Sequence, residues 1–199
     1  MTKNKHQEDG IYWCIEHELD QTNELLGGGI IADEMGLGKT ILMLGLFVSN
    51  FVRNTLIVVP LPLLSQWKKE IKRTLGHDVL VYHGNSKKSI KKEELKEAAL
   101  VLTTYGALKP SNKDNLYNVY WDRIIYDEAH HMRNSSSKKY FYGKLLKSKY
   151  RWFLSGTPVQ NKIGDLYSLF LILGYKHKEL IDYETFKKFP FCICFLNFI

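Results

Sequence analysis

The sequence has few cysteines and no long apolar run. Its three cysteines, Cys14, Cys192 and Cys194, are too few and too oddly placed for a disulfide framework, which predicts reduced thiols. No stretch approaches the roughly 20 apolar residues of a membrane span. The first residues also lack the apolar segment of a signal peptide. We therefore expect an intracellular protein without a membrane partner.

Acidic residues are outnumbered by basic ones. There are 28 Lys and Arg residues against 21 Asp and Glu residues, which gives a formal net charge of +7. This excess suits a polyanionic partner without proving one. Hydrophobic residues make up 45% and charged residues 25% of the chain, so extensive disorder, collagen and coiled coil are excluded. The length of 199 residues fits one domain, or one lobe of a larger machine.

Short apolar runs alternate with longer amphipathic segments along the chain. We predict strands over 28–32, 56–59, 79–82, 100–103, 123–127 and 151–154. We predict helices over 7–19, 39–52, 63–74, 87–98, 138–147 and 163–173. Because most of these strands are apolar at consecutive positions, the pattern indicates a parallel sheet covered by helices on both faces. Such a sheet binds ligands at the carboxyl ends of its strands.

The pattern predicts an apolar face on two of the helices. The first predicted helix should bury one side, made of Ile11, Cys14, Ile15 and Leu19. The last should bury Leu166, Leu169, Phe170 and Leu173. The lysine-rich helix over 87–98 also carries glutamates, which favours a solvated face, with DNA contact as the alternative.

A glycine-bearing turn follows the first strand. Residues 33–38 read Asp-Glu-Met-Gly-Leu-Gly, and the next helix opens with Lys39 and Thr40. Glycines let successive backbone N–H groups point at phosphate oxygens, and the helix dipole adds to their attraction. Lys39 would then reach the β- and γ-phosphates, and Thr40 would bind Mg²⁺. Asp33 stands where the general phosphate-loop pattern has its first glycine, so this motif alone leaves a plain loop-to-helix turn open.

Two carboxylates follow a later apolar strand. Asp127 and Glu128 come directly after Tyr126. An acid at the end of a neighbouring strand can hold Mg²⁺, and the next acid can orient or deprotonate the attacking water. The alternative is a helix amino-terminus, where the dipole favours acids. The two motifs together favour a nucleotide site in which Lys39 and Asp127 meet across adjacent strand tips.

At these motifs the chain resembles the ATPase motor of superfamily-two helicases. Within that superfamily it resembles the Swi/Snf-type branch of chromatin remodellers and DNA translocases. Residues Gly29–Ile41 resemble the first motif of that branch, where Asp at position 33 is normal. Asp127-Glu128-Ala129-His130, followed by Arg133 and Asn134, resembles the second motif, and Leu154–Asn161 resembles the third. The resemblance covers about Gln7 to Leu173. It implies a RecA-like three-layer α/β sandwich with a mostly parallel central sheet and helices on both faces.

The resemblance also implies ATP and Mg²⁺ as cofactors and assigns roles to residues. Lys39, Asp127 and Glu128 are the expected catalytic residues, and Thr40 and Asp127 the expected metal ligands. Gln7 is expected to bind adenine, unless it is simply an exposed glutamine at a helix start. The remaining nucleotide contacts are expected from the loop, that is from Asp33, Glu34, Met35, Gly36, Leu37, Gly38, Lys39 and Thr40.

Two further groups follow from the resemblance. His130, Ser155 and Thr157 are expected to couple the acid pair to the nucleic-acid track, although the two hydroxyls could instead be capping groups at a strand end. The track along the nucleic-acid backbone is expected to be lined by Pro60, Gln66, Trp67, Thr103, Thr104 and Tyr105. The alternative for Trp67 is a place in the core.

Motors of this family have two lobes, and the second supplies arginine fingers. We assign residues 1–188 to the first lobe and 189–199 to an atypical apolar tail, and we find no second lobe. We therefore expect a truncated, split or frame-disrupted product that binds Mg-ATP weakly and hydrolyses it slowly. The alternative is an unusual tail that packs onto the lobe.

The resemblance implies the ATP-binding lobe of a DNA-dependent ATPase or translocase. Its expected partners are the duplex DNA backbone and a separate chain that supplies the second lobe. The main alternative is a non-catalytic ATP- and DNA-binding fragment that acts with or against another polypeptide. An RNA-directed helicase is a third possibility, against which Gln66 and Trp67 and the loop argue by resemblance. The expected location is the nucleus or a viral replication compartment.

Overall fold

Seven α-helices, seven strands and five short 3₁₀ helices make up the regular structure of the described residues. The computed structural model describes residues 5–20, 27–34, 36–111, 115–156, 163–174, 183–186 and 195–196. The α-helices are α1 (Lys5–Leu19), α2 (Lys39–Ser49), α3 (Leu64–Leu75), α4 (Lys92–Glu97), α5 (Lys138–Leu145), α6 (Ile163–Leu173) and α7 (Tyr183–Phe186). The strands are β1 (Gly28–Ile31), β2 (Thr55–Val59), β3 (Leu80–Tyr82), β4 (Leu100–Thr104), β5 (Tyr120–Tyr126), β6 (Lys147–Leu154) and β7 (Phe195–Leu196).

The strands form one sheet in the order β3-β4-β2-β5-β6-β1-β7. Every pairing is parallel, with Thr55 of β2 opposite Leu100 of β4 and Arg123 of β5. All carboxyl ends therefore lie along one edge of the sheet. Strand β6 lies between β1 and β5, so the expectation that Lys39 and Asp127 follow adjacent strands is wrong.

The strands are buried on both faces, as their continuous apolar runs predict. Alternate residues enter two separate hydrophobic clusters: Ile30 and Val58 lie in one, and Ile31 and Val59 lie in the other. Helix α6 packs in the first cluster through Leu166, Leu169, Phe170 and Leu173, as predicted. Helices α2 and α3 pack in the second. The α/β sandwich with helices on both faces is confirmed.

The predicted lysine-rich helix over 87–98 is wrong in its first half. Residues Ser86–Lys88 form a single 3₁₀ turn, and α4 begins only at Lys92. Between them the Ser89 hydroxyl donates to the Ser86 carbonyl at 2.9 Å, and Ile90 is buried. A local side-chain bond and a buried apolar residue thus interrupt the helix.

Several other details of the helices differ from the predictions. Helix α2 ends at Ser49, and α5 ends at Leu145, because β6 already begins at Lys147. On α1 the predicted apolar residue Leu19 is exposed, and its neighbour Glu18 is buried instead. None of the described helices is long and apolar enough to cross a membrane.

Two residues of the predicted tail belong to the sheet. Strand β7 pairs in parallel with β1, with Phe195 opposite Ile30 and Leu196 opposite Ile31. The rest of segment 189–199, including both of its cysteines, lies outside the described residues. Part of the tail therefore extends the sheet beside the strand that leads into the glycine-bearing turn.

Candidate nucleotide site

The predicted motifs meet at the carboxyl edge of the sheet. The glycine-bearing turn follows β1, Asp127 follows β5 directly, and Ser155 follows β6 directly. Pro60 and Tyr105 come directly after β2 and β4. A single edge of the sheet thus carries residues that are far apart in sequence.

The turn depends on glycines that adopt positive φ angles. Gly36 has φ +92° and Gly38 has φ +81°, a region that other L-residues rarely adopt. A Cβ atom on Gly38 would also overlap the Nε2 atom of Gln7. The predicted adenine-binding glutamine therefore lies directly against the loop, while Met35 lies outside the described residues.

Backbone carbonyls of the turn hold the Lys39 ammonium group. Its Nζ donates to the carbonyl oxygens of Asp33 and Glu34, both at 2.9 Å. Because an ammonium group has three donors, one remains for a phosphate oxygen. Thr40 is half-buried beside it in the first turn of α2.

Asp33, which replaces the first glycine of the general motif, is buried under the turn. It is 3% exposed, and its Oδ2 lies 3.0 Å from Nε2 of His6. Its Oδ1 is buried and has no hydrogen-bond partner among the described residues. An acceptor of this kind is costly to bury without a donor, which marks the turn as a place where a further group could bind.

Asp127 is fixed by four hydrogen bonds, three with other segments of the chain and one with its neighbour Glu128. Its backbone N–H donates to the Val58 carbonyl at 2.9 Å, and its own carbonyl accepts from the Tyr105 hydroxyl at 2.8 Å. The indole N–H of Trp67 donates to Oδ2 at 2.6 Å, and the Glu128 backbone N–H donates to Oδ1 at 2.9 Å. The carboxylate is thereby held at the tip of β5.

The charge of Lys39 acts on Asp127. Burial raises the pKa of the Asp127 carboxyl, and the hydrogen bonds from Trp67 and the Glu128 N–H oppose this rise. The nearby Glu128 carboxylate raises the pKa further, whereas the Lys39 ammonium lowers it. The Lys39 charge is the smallest of these influences, and it favours the charged form of Asp127 although β6 separates the two strands.

The donor set fits Mg²⁺ held together with a nucleotide. Among the described residues, no three His, Cys, Asp or Glu side chains form a metal site of their own. Mg²⁺ is commonly bound through one or two carboxylates, with water and substrate phosphates completing its octahedron. Asp127 and Thr40 could supply such oxygen ligands.

Glu128 has a strained backbone. Its φ of +48° makes it the one described residue other than glycine with a positive φ angle. Strain of this kind costs about 1–3 kcal/mol and clusters at functional sites. The Nδ1 atom of His130 lies 2.9 Å from Glu128 Oε2, although the angles are not those of a hydrogen bond.

The remaining motif residues lie next to this pair. Arg133 donates from Nε to the His130 carbonyl at 3.0 Å, and its Nη1 lies 3.7 Å from Asp165 Oδ2 on α6. Ser155 is buried at the tip of β6, and its N–H donates to the Ile31 carbonyl of β1 at 3.1 Å. Ser155 thus lies between the turn and the acid pair. Thr157 lies outside the described residues.

The family model of the SNF2-related domain matches residues 6–192. The chain belongs to the SNF2 family. An ATP-dependent helicase of Schizosaccharomyces pombe, itself uncharacterized, is 36% identical over 94% of this chain and 20% of its own length. The DNA repair protein rad8 of the same yeast is 33% identical over 82% of this chain and 18% of its own length.

A solved structure has the same fold as this SNF2-family chain. The SWI2/SNF2 ATPase core of Sulfolobus solfataricus in complex with dsDNA superposes with a TM-score of 0.75 and 32% sequence identity. The match covers 92% of this chain and 37% of that core. The chain thus spans about a fifth of the length of the yeast relatives and over a third of the solved core.

Most of the side chains predicted to line the nucleic-acid track are buried. Four of its six residues are buried, namely Trp67, Thr103, Thr104 and Tyr105. The Thr103 hydroxyl donates to the Tyr82 carbonyl at 2.7 Å, and the Thr104 hydroxyl lies 3.1 Å from Nδ1 of His83. Strand β4 is central, so its side chains face the two cores. Pro60 is half-buried and Gln66 is exposed, so these two side chains remain accessible.

A buried ion pair of the SNF2-family chain escaped the sequence prediction. Arg123 on β5 donates from Nε to Oε1 of Glu18 at 2.6 Å and from Nη2 to Oε2, and neither side chain is exposed. The available signals were an arginine inside an apolar strand and the helical spacing of Glu18 four residues after buried Cys14.

Proposed function

We propose that the chain is the ATP-binding lobe of a DNA-dependent ATPase or translocase of the SNF2 family. The observation that carries this proposal is the common carboxyl edge of the sheet, where the turn after β1 holds the Lys39 ammonium and hydrogen bonds hold the Asp127 carboxylate at the tip of β5. The position of Gln7 against Gly38 supports it, because an adenine-binding group has to lie next to the phosphate-binding turn.

Each site residue has a proposed task. The N–H groups of the turn and the Lys39 ammonium bind the phosphates, and Gln7 binds adenine. Thr40 and Asp127 hold Mg²⁺, which when bound neutralises charge on the phosphate oxygens. Glu128 orients the attacking water or takes its proton. His130, whose Nδ1 lies 2.9 Å from Glu128 Oε2, couples the acid pair to the nucleic-acid track.

Duplex DNA is the proposed nucleic-acid partner. The related Sulfolobus core was solved with dsDNA, and the net charge of this chain is +7. Helix α3 exposes Gln66, Lys68 and Lys69 next to Pro60, which offers polar and positive groups to a phosphate backbone. Binding of this kind has little sequence specificity and weakens steeply with salt. We accordingly propose a nuclear location.

Slow hydrolysis by the 199 residues alone is a further part of the proposal. In motors of this kind a second lobe supplies arginine fingers, and such a finger is worth about 10³- to 10⁵-fold in rate. This factor corresponds to roughly 4–7 kcal/mol of activation free energy. The chain corresponds to 37% of the solved core, which leaves room for these groups elsewhere.

Nucleotide binding provides the first test. A fluorescent ATP analogue should bind to the purified chain with Mg²⁺ present, and Lys39→Ala should abolish this binding. Lys96→Ala is the matched control, because Lys96 is an exposed lysine on α4 away from the sheet edge. Equal binding by both variants would contradict the proposed site.

Turnover distinguishes the proposed enzyme from its alternatives. ATP hydrolysis by the chain should stay slow with duplex DNA and should rise when a second lobe from a relative is added in trans. No rise despite ATP and DNA binding would favour a non-catalytic ATP- and DNA-binding fragment, and stimulation by RNA alone would favour an RNA-directed helicase. Rapid DNA-stimulated hydrolysis by the chain alone would refute the slow-hydrolysis proposal.

A further inference from the structure

Trp67 is a buried residue of α3 whose single polar group faces the acid pair. Its side chain is 1% exposed, and its Nε1 lies 2.6 Å from Asp127 Oδ2. An indole N–H can only donate, so its one hydrogen bond is committed to this carboxylate. The bond is short for an N–H donor and a carboxylate oxygen.

The indole bond limits how the carboxylate can turn. A carboxylate has about four acceptor positions, two on each oxygen. Trp67 takes one position on Oδ2, and the Glu128 backbone N–H takes one on Oδ1. With one donor on each oxygen the plane of the carboxylate is fixed, and one position on each oxygen stays available.

Packing alone does not require this arrangement. Two other buried tryptophans donate to groups outside the nucleotide site: Trp121 to the Leu116 carbonyl at 3.2 Å, and Trp152 to the Glu18 carboxylate at 2.9 Å. The Trp67 ring packs in the second core cluster, but its N–H does not donate to a backbone carbonyl there. Instead it donates to a carboxylate that follows β5, 60 residues further along the chain.

We propose that Trp67 is a positioning residue that holds the Asp127 carboxylate in the orientation needed to receive Mg²⁺ with the nucleotide. This inference rests on the proposed Mg²⁺-nucleotide site. Donors to a metal-ligating carboxylate fix its direction, and their removal typically lowers metal affinity by about 10- to 100-fold. Trp67 therefore acts through Asp127 and touches neither the metal nor the nucleotide.

The test compares Trp67→Phe with Trp152→Phe. Both variants keep an aromatic ring and remove one buried indole N–H from a carboxylate, but only the first affects Asp127. Affinity for the fluorescent ATP analogue is measured in EDTA and across a Mg²⁺ titration. Trp67→Phe should bind the analogue normally in EDTA and should need about 10- to 100-fold more Mg²⁺ for the tight complex. Trp152→Phe should follow the unaltered chain in both measurements.

A second measurement uses the unaltered chain, so it does not depend on folding of the variant. The chain has four tryptophans, whose indole N–H signals can be followed by nitrogen-15 NMR. Addition of Mg²⁺ to the ATP-saturated chain should shift the Trp67 signal more than the Trp152 signal. Equal Mg²⁺ requirements in the variants, or no selective shift of Trp67, would overturn the inference. Failure of the unaltered chain to bind the Mg-nucleotide would instead refute the proposed function.

Discussion

Two buried carboxylates of this chain differ in how many donors reach them. Glu18 is 5% exposed, and Asp127 is 6% exposed. Glu18 accepts four hydrogen bonds, from Nε and Nη2 of Arg123, from Asn50 Nδ2 at 2.7 Å and from Trp152 Nε1 at 2.9 Å. The Asp127 carboxylate accepts two, from Trp67 and from the Glu128 N–H.

The difference separates a structural carboxylate from a binding one. Glu18 has two donors on each oxygen, so its four acceptor positions are filled and its charge is paired with Arg123. Asp127 keeps two positions available at the carboxyl edge of the sheet, where ligands bind in parallel α/β folds. Equal burial therefore does not imply an equal role for the two carboxylates. The number of filled acceptor positions distinguishes Glu18 from Asp127.

The largest expected effect is a loss of stability when the partner of Glu18 is removed. Arg123→Met leaves the Glu18 carboxylate buried without its cation, which should lower the free energy of unfolding by about 3–5 kcal/mol. Urea denaturation followed by circular dichroism measures this change. A loss below about 1 kcal/mol would show that Glu18 reaches water or a different cation.

The double variant Glu18→Leu with Arg123→Met serves as the control. It removes both charges, so it should recover much of the lost stability, because replacing a buried ion pair by apolar residues is often neutral or better. ATP binding should persist in the double variant, since neither residue lies at the sheet edge that carries the nucleotide turn. Loss of binding there would contradict the separation of the two carboxylates.

Asp127→Asn should affect Mg²⁺-dependent ATP binding more than stability. Removal of the carboxylate that we propose to hold Mg²⁺ should lower the Mg²⁺-dependent gain in ATP affinity by about 100-fold or more, beyond the effect of its outer donors. Stability should fall by only about 1–3 kcal/mol, because the Asn amide N–H₂ faces one of the two donors to Asp127 but no buried cation loses its partner. Calorimetric titration with and without Mg²⁺, together with urea denaturation, measures both. An unfolded variant would place Asp127 with Glu18 as a structural group.

Gly38→Ala is a second test of the proposed nucleotide site. A side chain at φ +81° should cost about 1 kcal/mol of stability, and its Cβ would push Gln7 out of place. Gly76→Ala is the matched control, since Gly76 has φ +75° and a Cβ atom there would meet nothing within 4 Å. Both should lose similar stability in urea, but only Gly38→Ala should lose ATP affinity. Equal ATP affinity would argue against a binding role for Gln7.

The sequence predicted the sheet and the strand-end positions of the motifs well. Apolar runs at 56–59 and 100–103 became β2 and β4 within one residue, because strands buried on both faces need such runs. It could not predict that β6 would lie between β1 and β5, since the order of strands depends on crossover connections. The same strand brings Ser155 between the turn and the acid pair.

Partners of side chains were harder to predict than their positions. Trp67 and Tyr105 were assigned to a nucleic-acid surface, yet both are buried and bond to Asp127. Sequence spacing places them after the correct strands but does not tell whether a side chain points inward. Glu18 was missed for the same reason, because its partner Arg123 is 105 residues away.

The smallest expected effect is a difference in how the stability of the unaltered chain and that of the Asp127→Asn variant depend on pH. Burial raises the pKa of Asp127 in the folded chain, so the native state holds this proton more tightly than the unfolded chain does. Stability contributed by Asp127 is then lost as pH rises from its unfolded pKa, about 3.9, through the raised folded value. Asn has no such proton. Without Mg²⁺ and nucleotide, the unaltered chain should therefore lose stability relative to Asp127→Asn as pH increases over this window. Parallel urea midpoints across the window would show that donors to Asp127 fully offset its burial, which would make its carboxylate as well satisfied as that of Glu18.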